Sequence, residues 1–188
     1  MGEALVFKID IDKDIHIEML HISHAQALFD LTNKNRETLQ EWLPWVGHTT
    51  KIEDTQEFIR HSLTQYVKNG SIDAPVFYKG KLVGMIALLI SKRYNLKRAD
   101  IGYWLDSEHQ GKGIISKCAQ KMLEIGFEKY NLRKITIHCA TDNSNSCNVA
   151  KRLGFHLDGT LRQEAKVGEK IEDLNVFSIT QNEYKEIK

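Results

Sequence analysis

Apolar and polar residues change their spacing several times along the chain, and each change marks an element. Residues 15–20 alternate apolar and polar, with His16 and Glu18 set between Ile15, Ile17 and Met19, as a half-buried strand does. Before them, residues 1–14 mix acids and aliphatics and suggest a ragged first strand or arm. Ser23 is a candidate cap for a helix carrying Ala25, Leu28, Phe29 and Leu31. Pro44 should end any helix at or near Leu43. Thr50 or Asp54 can start the next helix, which presents Phe58, Ile59, Leu63 and Tyr66 and stops near Asn69 and Gly70. Period two then takes over. Strands at 72–78 and 81–90, separated by Lys79 and Gly80, read as a hairpin. A polar, basic connection at 91–98 leads to a strand at 99–105 and a glycine-bearing loop at 106–114. Ile114, Ile115, Cys118, Ala119, Met122, Leu123 and Phe127 then mark the buried face of a helix running to Tyr130. A strand at 132–139, a short helix at 143–153 closed by Gly154, and a strand at 155–163 follow. A polar turn at 166–172 around Gly168, a strand at 173–180 and a helical end at 182–188 complete the chain. The order predicts an α/β (α+β) fold: one mixed, chiefly antiparallel sheet with helices on its faces, in a single domain over 1–188.

Composition narrows the functional classes. A chain of 188 residues can bury an adequate core. With 26 Lys and Arg against 25 Asp and Glu, the formal charge is +1, so nothing calls for nucleic acid or an anionic membrane as partner. No apolar run approaches the roughly 20 residues of a membrane span, and the longest, 82–90, is interrupted by Gly84. The first residues lack the pattern of a signal peptide, and Val6 stands where myristoylation wants Ser or Thr. Cys118, Cys139 and Cys147 are odd in number and without C-x-x-C spacing, as expected of reduced thiols in a cytoplasmic protein.

Two stretches carry candidate chemistry. Gln110, Gly111, Lys112, Gly113, Ile114, Ile115 and Ser116 take a strand through glycines into a helix, whose unpaired first N–H groups suit a phosphate. A Walker loop is excluded because Lys112 is followed by Gly113, and a Rossmann fingerprint lacks its third glycine at Ser116. A plain solvated turn remains the other reading. In the second stretch Asn143 and Ser146 open a helix with Val149, Ala150 and Leu153 on its apolar face, before Gly154 and Phe155. Taken alone, Asn143 and Ser146 are equally well capping residues. Glu41, Trp42, Pro44 and Trp45 could receive a cationic amine through ring faces and a carboxylate, or belong to an ordinary core beside a helix end. The spacing of His16, His21 and His24 does not put three on one face, and no metal is expected.

One helix and one strand apart, the two stretches together resemble the GNAT superfamily of acetyl-CoA-dependent N-acetyltransferases, and its RimJ/RimL branch in particular. The family loop Q/R-x-x-G-x-G/A is met by Gln110 and Gly113, with Ile115 in the place of the small residue. The later motif N-x-x-S-x-x-V/A-x-x-x-x-G-F is met by Asn143, Ser146, Val149, Gly154 and Phe155. The resemblance implies a GNAT fold with acetyl-CoA as cosubstrate and no metal. It seats the pyrophosphate on residues 111–116 and requires the Ile115 side chain to point into the core. It implies a β-bulge at Trp104 and Leu105 that exposes backbone to the pantetheine arm, with the Leu105 N–H polarising the thioester carbonyl. Asn143 would bond the pantetheine amides, and Ser146 would protonate the leaving thiolate or hold a water that does. Transfer would be direct, to a primary amine: by resemblance the N-terminal α-amine of a protein, a ribosomal one included. A general base is expected at 165, which is Ala165; Glu164 is the candidate, on the wrong face of a strand unless a bulge turns it. The acceptor side falls to Glu41, Trp42 and Trp45. A small amine such as a polyamine or aminoglycoside, and a CoA-binding sensor without catalysis, are the rival readings. The family is often dimeric, so a homodimer is implied, though no sequence feature decides it.

Overall fold

The computed structural model describes residues 7–93, 96–167 and 169–187. Their strands are β1 (Lys8–Asp10), β2 (Ile15–Glu18), β3 (Ser71–Tyr78), β4 (Lys81–Arg93), β5 (Leu96–Leu105), β6 (Lys134–Ala140), β7 (His156–Val167) and β8 (Lys170–Thr180). They make one sheet in the order β1-β2-β3-β4-β5-β6-β8-β7. All neighbours are antiparallel except β5 and β6, which run parallel. The helices are α1 (Ala25–Lys34), α2 (Arg36–Gln40), α3 (Ile52–Val67), α4 (Ile114–Glu124), α5 (Ser144–Arg152) and α6 (Gln181–Ile187). This is the mixed α/β architecture that the pattern predicts.

Two apolar clusters sandwich the sheet. On one face α1 and α3 bury Leu20, Ala25, Leu28 and Ile59 against Met85, with Trp104 at the edge. On the other, α4 sinks Ile114, Cys118, Ala119, Met122 and Leu123 among Ile86, Leu88, Ile101, Ile135 and Ile137. Each fully buried aliphatic contributes about 1.5–3 kcal/mol, so α4 is the helix most firmly tied to the sheet. Its last turn widens: Tyr130 N–H donates to the Ile125 carbonyl at 3.2 Å, five residues back.

Several boundaries differ from expectation, each for a local reason. The cap before α1 is His21 rather than Ser23. His21 Nδ1 accepts from Ser23 N–H and His24 Nδ1 from His21 N–H, so a short 3₁₀ turn leads into the helix. In α3, Asp54 accepts from the N–H groups of Thr50 and Lys51. The buried stripe of α3 is Thr55, Ile59 and Ser62, while Phe58 and Tyr66 are exposed. Ser62 donates to Asp73 of β3, and that bond fixes the rotation of the helix. The basic segment at 91–98 is strand on both sides: β4 and β5 keep one unbroken register out to Arg93 opposite Leu96. Backbone pairing there outlasts the apolar pattern. Likewise most of the turn expected at 166–172 is strand, since β7 and β8 pair as far as Val167 opposite Lys170. The expectations placed on residues 1–6, on 94–95, on Gly168 and on Lys188 lie outside the described residues.

Candidate active site

The parallel seam between β5 and β6 is short. Arg98, Ala99 and Asp100 pair with Lys134, Ile135 and Thr136, and there the pairing stops. Beyond it the strands part while β6 stays paired to β8 as far as Ala140. The gap opens a cleft of about 1110 Å³ lined by Tyr103, Trp104 and Leu105 on one side and by His138, Cys139 and Ala140 on the other. That exceeds the roughly 300–1,000 Å³ of an ordinary small-molecule pocket and suits a long ligand.

The ladder decides which backbone groups face the gap. Asp106 N–H donates to the Val83 carbonyl at 2.7 Å, and antiparallel pairs alternate between bonded and non-bonded. Trp104, opposite Met85, therefore bonds to β4, whereas Tyr103 and Leu105 turn their N–H and C=O groups toward the gap. No register shift occurs between β4 and β5. The open edge arises from the parting of β5 and β6, not from the expected bulge at Trp104 and Leu105. Trp104 lines the cleft, and its ring, packed at the edge of the α1 and α3 cluster, lies 6.3 Å from the Trp45 ring. Gly84 keeps the two strands close, since a Cβ there would stand 2.3 Å from the Trp104 carbonyl oxygen.

At the end of β5 the chain enters α4 through Gly113, whose φ of 73° places it in the left-handed region that favours glycine. No side chain caps this helix, so the N–H groups of Ile114, Ile115 and Ser116 have no intrahelical partner. Ser116 Oγ is buried and unpartnered among the described residues. All four groups belong to residues that line the cleft with Gln110, Gly111, Lys112 and Gly113. A donor set of helix amides plus a vacant hydroxyl fits a phosphate group. Ile114 and Ile115 are buried and both line the cleft, and Ile114 also belongs to the core cluster beneath the sheet. Lys112 is exposed and donates to the Glu108 carbonyl.

Across the gap, Asn143 caps α5: its Oδ1 accepts from Ser146 N–H at 3.0 Å. That leaves the side-chain NH₂ of Asn143 without a bond among the described residues. Ser146 Oγ lies 2.9 Å from Tyr103 Oη, which also donates to the Ser146 carbonyl at 3.3 Å. Burial pushes the Tyr103 hydroxyl up to about 12, opposed by the Ser146 bond, so it stays protonated. Tyr103 lies within the strand expected at 99–105, where the sequence pattern assigns it no role. Strand alternation places it on the side chain face of Leu105. Cys139 also lines the cleft, with its Sγ 3.1 Å from Cys147 Sγ. Burial first, then Cys147, push its thiol up to about 12, so it is a poor nucleophile at neutral pH.

Thr38, Leu39, Glu41, Trp42, Leu43 and Pro44 line the other end of the cleft. Arg36 holds this segment by donating to the carbonyls of Val46 and Thr49, each at 2.6 Å. The Trp45 ring is tilted 51° to that of Trp104, and Trp45 is not among the residues lining the cleft. Glu164 is exposed and stands outside the cleft. A bulge does exist: Leu161 pairs with Leu174 and Ala165 with Glu172, so three residues of β7 face one of β8. Gln163 takes a φ of 52° there, and its N–H donates to Asp173 Oδ1 at 2.8 Å. Two extra residues preserve the alternation, and Ala165 rather than Glu164 faces the cleft. The carboxylate directly opposite Ala165 is that of Glu172, which lines the cleft with Glu41 and Asp142. Glu172 is only 3% exposed. It escaped sequence reasoning because it falls in the presumed turn at 166–172. Among the described residues no group of three His, Cys, Asp or Glu could hold a metal ion.

Comparison with known proteins bears on this geometry. The family model described as an acetyltransferase (GNAT) domain matches residues 14–156. The ribosomal-protein-serine acetyltransferase of Escherichia coli (strain K12) is 31% identical over 170 residues, 90% of this chain and 94% of that protein. A solved RimL, a ribosomal L7/L12 α-N-protein acetyltransferase in complex with coenzyme A, superposes with a TM-score of 0.89 at 26% identity, covering 94% of this chain and 99% of that one. A microcin C7 self-immunity acetyltransferase in complex with acetyl-CoA and AMP gives a TM-score of 0.87 at 26% identity, covering 92% and 95%.

Proposed function

The chain belongs to the GNAT acetyltransferase family, and on that premise we propose that it transfers acetyl from acetyl-CoA to the N-terminal α-amine of a ribosomal protein. Acetyl-CoA supplies an activated thioester. The first-turn amides of α4 and Ser116 Oγ hold its pyrophosphate, and the open edge of β5 pairs with its pantetheine arm as an added strand would. Asn143 offers its free NH₂ to the same arm. The Leu105 N–H points into the gap and donates to the carbonyl oxygen as charge develops there. The acceptor reacts as the free amine and loses a proton to solvent as the C–N bond forms and the C–S bond breaks; Ser146 gives a proton to the departing sulfur while Tyr103 bonds its oxygen, and Ser146 is reprotonated from solvent. The attack is direct, because the raised pKa of Cys139 argues against an acyl-cysteine. The acceptor enters between Trp42 and Glu172.

The observation that carries this reading is the hydroxyl pair of Ser146 and Tyr103, 2.9 Å apart in the same cleft as the free amides of α4. For the acceptor, support comes from a relative named for ribosomal-protein serine. An acceptor of that kind places the reaction in the cytoplasm. Ser146→Ala should lower kcat by about 10²-fold with KM for acetyl-CoA little changed; an unchanged kcat removes Ser146 from the mechanism. Thiol release should be screened with seryl and alanyl N-terminal peptides, spermidine and an aminoglycoside. Release with peptides alone supports the proposal, release with spermidine or the aminoglycoside alone reassigns the acceptor, and release with none points to a CoA sensor.

A further inference from the structure

Lys170 stands at the rim of the cleft, on the first residue of β8. Its Nζ is 2.6 Å from Glu172 Oε1 and 3.2 Å from Asp142 Oδ2, and it lies over the Trp42 ring at 5.9 Å from the centroid. Trp42, Asp142 and Glu172 all line the cleft. The lysine side chain is 58% exposed, while that of Glu172 is 4% exposed. Glu172 Oε1 makes no aligned hydrogen bond among the described residues, so Lys170 meets it as a charge contact. Two carboxylates and an indole face are the groups that recognise a primary ammonium. A carboxylate buried this deeply needs a cation beside it, and the cation it has is on a long, solvent-exposed stem.

We propose that Glu172, with Asp142 and Trp42, is the recognition site for the acceptor's ammonium group, and that Lys170 fills it as a tethered stand-in until the acceptor displaces it. The inference rests on the reading of the cleft as an amine-acceptor site and names the residues that select the amine. Lys170 is a competitor of fixed effective concentration. The acceptor's apparent affinity is therefore lowered by the fraction of molecules in which Lys170 sits on Glu172. Swinging out costs little, because Lys170 regains water as the acceptor neutralises the carboxylate.

The test is binding of serinamide to the CoA-saturated protein, which needs no turnover. Glu172→Gln should weaken serinamide by at least about tenfold, with CoA affinity unchanged. Lys170→Met keeps an apolar stem on Trp42 and should tighten serinamide about three- to tenfold. It should also lower Tm, because Glu172 is left buried and unpaired, and serinamide should restore more of that Tm than it adds to the wild type. The double variant should bind as Glu172→Gln does. In the wild type, the ¹⁵Nζ resonance of Lys170 should shift on saturation with serinamide and stay in place in Glu172→Gln. Wild-type affinity in Glu172→Gln overturns the proposal. So does a Lys170 resonance that serinamide leaves unmoved, or a Lys170→Met protein whose lost Tm serinamide does not recover. If serinamide binds as stated but no amine is acetylated, the transferase reading fails and this inference stands.

Discussion

At the scale of the residue, the unit of interest is the hydroxyl pair. Ser146 sits in the first turn of α5 and Tyr103 on β5, 43 positions apart in the chain. Tyr103 is half-buried, and removing its hydroxyl leaves Ser146 Oγ with one fewer partner. A bond of this kind is worth about 0.5–1.5 kcal/mol. Tyr103→Phe should therefore lower kcat about three- to tenfold with KM for acetyl-CoA unchanged, and steady-state thiol release measures both. An unaltered kcat would leave Tyr103 a packing residue. Ser146 and Asn143 were legible in the sequence because both lie in one local motif at fixed spacing. Tyr103 was not, because its role depends on a contact between β5 and α5 that no local pattern encodes.

At the scale of the element, the loop between β5 and α4 is held from the α1 side. Asp106 is 2% exposed, and its carboxylate contacts Lys34 Nζ at 3.0 Å and His109 Nδ1 at 2.8 Å. Ser107 N–H donates to Asn35 Oδ1 at 3.0 Å. Burial raises the pKa of Asp106, but the bonds from Lys34, Asn35 and His109 outweigh it and leave it below the ordinary value. A depressed carboxylate contributes stability that is present above its unfolded pKa, near 3.9, and is lost as pH falls through the folded value. The urea-unfolding difference between wild type and Asp106→Asn should thus be constant from neutral pH down to about 5 and shrink below about 4. A difference that grows as pH falls would contradict it. Elements with a clean period, β3, β4 and α4 among them, were legible in the sequence. The bulge in β7 was not: nothing in Leu161, Arg162, Gln163 and Glu164 announces that three of these positions face Asp173 alone. Because it adds two residues, Glu164 keeps its outward face, and the carboxylate set opposite Ala165 in the cleft is Glu172.

At the scale of the molecule, the sheet is two units joined by a narrow seam. β1 to β5 form one antiparallel ladder and β6, β8 and β7 another, and three residue pairs connect them. The rest of the connection is the packing of α4 beneath both, where Ile101 of β5 and Ile137 of β6 share its apolar face. Bound acetyl-CoA would replace the missing ladder, with its pantetheine arm against Tyr103 and Leu105 and its pyrophosphate on α4. Ligand binding should then act on the seam and on global stability together. The amides of Tyr103 and Leu105 should exchange with deuterium fast in the free protein, while those of Gly102 and Trp104, which bond β4, exchange slowly. Saturating CoA should slow Tyr103 and Leu105 selectively. At about 100 times Kd it should add about 2.7 kcal/mol to unfolding, read as a rise in Tm. A rise in Tm without protection at Tyr103 and Leu105 would put CoA somewhere other than the gap. Protection spread evenly over β5 would mean that the strands close on each other rather than on the ligand.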